Sequence, residues 1–85
     1  MRVEDEIHRR LADAFAPRKL EVVDESESHR GHSGYREGGQ SHFRVWIASK
    51  AFRGQSRIAR HRAVHDALGP DLIGRIHALA LRIED

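Results

Sequence analysis

Two sets of side chains in this sequence are equipped for chemistry. The first is imidazole. Seven histidines occur in 85 residues, and His29, His32 and His42 fall within one polar, glycine-bearing stretch, DESESHRGHSGYREGGQSHF, residues 24–43. Imidazole is a borderline ligand that takes zinc, copper and iron, and a pair of imidazoles can replace thiolates on one iron of a [2Fe–2S] centre. The chain has no cysteine, which excludes a thiol nucleophile, a disulfide framework and a zinc site built on thiolates. A cluster of that kind would therefore need sulfur from another molecule.

The second set is guanidinium. Arg53, Arg57 and Arg60 recur at i, i+4 and i+7, with Arg62 nearby, a spacing that lines one side of a helix and could grip phosphates. The net charge is only +2, although the sequence pI is about 9.7. Arginine, protonated to high pH, accounts for that contrast, so charge distribution must carry any affinity for nucleic acid. Each set also has a plainer reading. Loop histidines are ordinary polar residues, a strand histidine is often a hydrogen-bonded core group, and an arginine stripe is usually a solvated helix face. His8 and His65 carry no signal beyond surface placement. No Ser–His–Asp order, phosphate-binding loop or H-E-x-x-H motif is present, and Glu25 with Glu27 is only a charge pair in a loop. Catalysis is not expected.

Several elements must position these groups. Val3, Ile7, Leu11, Ala14 and Phe15 recur at helical spacing over 3–15, with Glu4, Asp5 and Glu6 in the first turn and Pro17 as the stop. KLEVVD (19–24) reads as a strand, and HFRVWIAS (42–49) alternates cleanly, with Phe43, Val45 and Ile47 on one face and His42, Arg44 and Trp46 on the other. Residues 24–41 form a long loop between these strands, and such loops tend to be functional or disordered. Ser56 is an N-cap candidate for a second helix carrying Ile58, His61, Val64, His65 and Leu68 on one stripe. Gly69–Pro70 predicts its stop, and DLIG at most one further turn. RIHALALRI (75–83) is apolar on both faces, which predicts a central strand.

The expected fold is α+β in the order α-β-β-α-β, a single domain over 1–85, with a three-stranded sheet and two main helices on one face. His42 and His61 are expected to be structural, and Trp46 to cover the sheet. No apolar run approaches a membrane span, so a cytoplasmic protein without a membrane partner is expected.

With the elements placed, LEVVDES, SHFRVWIASKAFRG, RIARHRAVHDAL and RIHALAL together resemble the BolA family, from about Leu20 to Leu81. The resemblance implies a class II KH-like fold. It also implies a protein that is a monomer alone and pairs with a monothiol glutaredoxin to share a [2Fe–2S] cluster. The glutaredoxin and glutathione would supply the sulfur, and the isolated chain would hold no cluster. Some members of the family are DNA-binding regulators of transcription, stress and morphology. The family's cluster histidine in its I/V-H-A motif falls on His77. Its second ligand, counted from D-E-S-x-x-H, falls on His29, with His32 as the competitor.

Two departures from the family pattern stand out. The further helix with a T-P-x-x-W-like signature does not follow Ile83, Glu84 and Asp85, and Trp46 stands where the family usually has a smaller aliphatic residue. A KH-type backbone clamp would need G-x-x-G, whereas Gly54-Gln55-Ser56-Arg57 lacks the second glycine.

Overall fold

Alternation builds the centre of the molecule. A computed structural model describes residues 2–25 and 41–85. Strand β2 (His42–Ala48) is the middle of a three-stranded sheet ordered β1-β2-β3. It pairs antiparallel with β1 (Lys19–Asp24), from Lys19 opposite Ala48 to Asp24 opposite Phe43. It pairs parallel with β3 (Ala78–Glu84), from His42 beside Ala78 to Ala48 beside Glu84. A parallel neighbour requires a crossover connection. Helix α2 (Arg57–Arg75) supplies it and lies with α1 (Val3–Phe15) on one face of the sheet.

The odd residues of β2, Phe43, Val45 and Ile47, meet Ile7 and Leu11 of α1 and Val64, Leu68 and Leu72 of α2 in a single core closed by Phe52. Each such aliphatic or aromatic side chain contributes roughly 1.5–3 kcal/mol on burial. The family of expected elements is therefore present in the expected order, with both helices on the same side.

Local chemistry sets the ends. Helix α1 closes on Ala16, in the left-handed region at φ 43° and ψ 55°, and its N–H reaches the Ala12 carbonyl at 3.0 Å. The Ser49 hydroxyl donates to the Phe15 carbonyl at 2.7 Å and ties that end to the end of β2. Helix α2 starts on Ser56, whose hydroxyl accepts the Ala59 N–H at 3.1 Å.

The stop at Gly69–Pro70 is real but is a break, not an end. Gly69 sits at φ 84° and ψ 155°, a region open only to glycine. Pro70, whose fixed φ suits a first helical position, then opens a second helical run to Arg75. That run sends Leu72 into the core, completely buried, which a single further turn of DLIG did not anticipate. Arg10 donates to the Leu68 carbonyl just before the break. Arg75 forks onto both carboxylate oxygens of Glu6, at 3.0 Å each, and joins the last turn of α2 to the first turns of α1.

Two expectations about faces are corrected. Strand β3 lies at an edge, not at the centre. Its apolar appearance came partly from Ala78 and Ala80, which are small enough to stay exposed; only Leu79, Leu81 and Ile83 pack towards the helices. The buried stripe of α2 is Val64, Leu68 and Leu72, flanked by Ala63 and Ala67. Its first turn is exposed, with Ile58 65% accessible, and His65 is exposed too. His61 is half-buried, and no hydrogen bond among the described residues reaches its ring, so the bonded structural role expected for it is absent there.

Candidate functional site

His77 sits one residue before β3, exposed, where the first two strands open into their long connection. Three backbone bonds gather the chain at this point. The Ser41 carbonyl accepts the N–H groups of both His77 (2.7 Å) and Ala78 (3.1 Å), and the Glu25 N–H donates to the His42 carbonyl (2.7 Å). Glu25 and Ser41 are the described residues that bracket 26–40, so both ends of that segment are fixed beside His77.

The described imidazole nearest to His77 is His42. Their ring centroids are 5.0 Å apart, with planes tilted by 49°. His42 is only 4% exposed and Ser41 is fully buried. The Ser41 hydroxyl lies 2.9 Å from His42 Nδ1. His29 and His32, the two candidates for the second ligand, lie outside the described residues. Among the described residues no group of three or more His, Asp or Glu side chains comes together as a metal site. At this end of the sheet the described part offers one exposed imidazole, His77, with the buried His42 ring beside it.

Of the four arginines, Arg57 and Arg60 share one concavity. A concavity of about 290 Å³ is lined by Gln55, Arg57, Arg60, His61, Leu81, Arg82 and Ile83. Within it, Arg60 is turned onto backbone: it donates to the Gln55 carbonyl at 3.0 Å and to the Ile83 carbonyl at 3.4 Å. Arg62 lies on a neighbouring concavity with Ile58, His65 and Asp66, shared with Arg57 and His61. Arg53 is exposed at the end of the 3₁₀ turn Lys50–Phe52. The unforeseen member is Arg82, which reaches this notch from β3. Its outward position could have been found by pairing it with Trp46, its direct neighbour in the ladder.

Trp46 covers the bare face of the sheet. The Lys19 ammonium lies 3.3 Å from its ring centroid and the Arg82 guanidinium carbon 4.1 Å. The indole N–H donates to Glu84. Cations over an indole face are held by the ring quadrupole.

These features define a small α+β domain whose exposed histidine stands at the mouth of a long inter-strand connection. The family profile described as BolA-like protein matches residues 11–84, and the chain belongs to the BolA family. It is 49% identical over 82 residues to an uncharacterized protein in the cobS 5' region of a Sinorhizobium species, covering 95% of this chain and 88% of that one. It is 39% identical over 79 residues to the DNA-binding transcriptional regulator BolA of Vibrio cholerae, covering 93% and 71% respectively. The solved BolA domain of SufE1 from Arabidopsis thaliana superposes with a TM-score of 0.80 at 34% identity, covering 95% of this chain and 88% of that one. No helix among the described residues is long and apolar enough to cross a membrane.

Proposed function

We propose that this chain is a BolA-type adaptor that docks on a monothiol glutaredoxin and completes a shared [2Fe–2S] cluster. His77 is one ligand, and His29 or His32 the other. The observation that carries the reading is the placement of His77: an exposed imidazole at the point where both ends of the 26–40 segment are fixed by backbone bonds. The donor set fits the group in chemical terms. Imidazoles can hold one iron, and with no thiol in this chain the other iron's sulfur ligands come from the glutaredoxin and glutathione. Histidine ligation in place of thiolate raises a cluster's reduction potential, which suits a role in cluster trafficking or in sensing iron and redox state.

The chain's own part in this is positional. Ser41 anchors the His77 backbone, and His77 presents a ring to the outside. No catalytic step is assigned to it. The test is reconstitution with a [2Fe–2S]-loaded monothiol glutaredoxin, followed by visible absorption and circular dichroism. The mixed complex should give a spectrum distinct from the glutaredoxin homodimer, and His77→Ala should abolish that difference. An unchanged spectrum in His77→Ala would refute the ligand assignment, and His29→Ala against His32→Ala identifies the loop donor.

A second reading has its own support. The Vibrio cholerae relative is named a DNA-binding transcriptional regulator, and Arg57 lies exposed at a notch with no acidic residue in its lining, although Arg82 on its other side pairs with Glu84 at 3.0 Å. On that reading DNA affinity falls steeply with salt. Binding that is absent or insensitive to salt would dismiss it.

A further inference from the structure

We propose that Ser41 and His42 are a positioning pair that holds the His77 ring in one orientation. The functional consequence of this rests on reading His77 as a ligand, but the geometry does not. His77 is exposed, and the ring contact recorded for it among the described residues is with His42, at 5.0 Å between centroids. His42 is itself fixed: it lies at the first position of β2, beside Ala78 in the parallel register. It is 4% exposed and has its Nδ1 at 2.9 Å from the Ser41 hydroxyl. The same Ser41, through its carbonyl, takes the N–H groups of His77 and Ala78.

One buried serine therefore sets both the backbone of the presented histidine and the plane of the ring that supports it. The support is ring against ring: His42, held by Ser41, blocks one side of the His77 ring and so limits its orientations.

The size of the effect follows from rotamer counting. An exposed histidine freed from its support samples about three χ1 wells and two ring orientations, so the fraction in the presented orientation falls to between about one third and one sixth. Apparent affinity is reduced by the same fraction, that is, roughly three- to sixfold.

The experiment has two readouts on the same variants. On the isolated, isotope-labelled chain, χ1 couplings and long-range proton–nitrogen correlations of His77 report its rotamer and tautomer, with the amide spectrum as the control for folding. The second readout is titration with [2Fe–2S]-loaded monothiol glutaredoxin, followed by visible circular dichroism. His42→Ala should turn the His77 χ1 couplings into averaged values and weaken formation of the mixed complex three- to sixfold, with the shape of the dichroism bands unchanged. His42→Phe keeps an aromatic ring under His77 and should keep both the single rotamer and the bands; it carries the test if the alanine variant does not fold.

A single His77 rotamer in folded His42→Ala overturns the proposal. So does loss of the bands in His42→Phe, which would make His42 a ligand and not a support. If instead His77→Ala leaves the bands unchanged while His42→Ala frees the His77 ring, the ligand reading falls and the positioning pair stands.

Discussion

Replacing Gly69 by alanine gives a result whose sign depends on the structure. In an unbroken helix the change would be favourable, because alanine is better than glycine by about 1 kcal/mol at an interior position. In this fold it must be unfavourable. At φ 84° and ψ 155° a side chain is strained by about 1–3 kcal/mol. A Cβ would also lie 3.4 Å from Arg10 Nη1, and that nitrogen donates to the Leu68 carbonyl at the end of the first helical run. That contact is an ordinary one, so the backbone conformation decides the sign. The loss is about 1–3 kcal/mol, against a total of 5–15 kcal/mol for a typical domain.

At about 4–8 °C per kcal/mol for a domain of this size, the melting temperature should fall by roughly 4–24 °C. Urea denaturation and calorimetry read both quantities. The same substitution in an Arg10→Ala background should still be unfavourable by about 1–3 kcal/mol, because the backbone strain remains. A stabilised or neutral Gly69→Ala would show that α2 runs straight through position 69, and the placement of Leu72 in the core would fall with it.

Two further outcomes test other parts of the account. The Glu6 carboxyl is held below its ordinary value, first by its hydrogen bonds from Arg75. A depressed carboxylate contributes stability above its unfolded pKa, about 4.3, and loses it as pH falls through the folded value. The wild-type urea midpoint should therefore fall more steeply than that of Glu6→Gln below about pH 4.3; parallel curves would contradict the pairing. Among the arginines, Arg57→Ala should lower the salt slope of any DNA binding by about 1, and Arg82→Ala, whose guanidinium pairs with Glu84, by less. Arg60→Ala should instead lower the urea midpoint, because its guanidinium serves the Gln55 and Ile83 carbonyls. A full unit lost from the slope in Arg60→Ala with unchanged stability would reverse that assignment.

Local pattern was a good guide wherever one face of an element decides its place. The strict alternation of HFRVWIA placed Phe43, Val45 and Ile47 correctly in the core, and the period of Val3, Ile7 and Leu11 did the same for α1. It failed where the answer lies between elements. Alanine at 78 and 80 made an edge strand look central, because a small apolar side chain is compatible with either position. The α2 stripe was drawn one turn too early, at Ile58, because nothing in its own period says where the sheet beneath it ends.

The same limit governs the site. His77 stood out through likeness to a family, and the Arg57–Arg82 notch and the His42–His77 contact were missed. Both join residues on different elements, and both depend on β3 being beside β2 in this particular parallel register. Alternation alone put His42 on the bare face as one more strand residue.

The bonds from Glu25 to His42 and from His77 to Ser41 also make the domain modular. They close the sheet at that end independently of what lies between residues 25 and 41, and loop-closure entropy grows only slowly with length. Residues can thus be exchanged, added or deleted along the intervening segment without renegotiating the core. A lineage could retune what the domain grips by editing that segment alone, while the presented histidine and the scaffold beneath it are inherited unchanged.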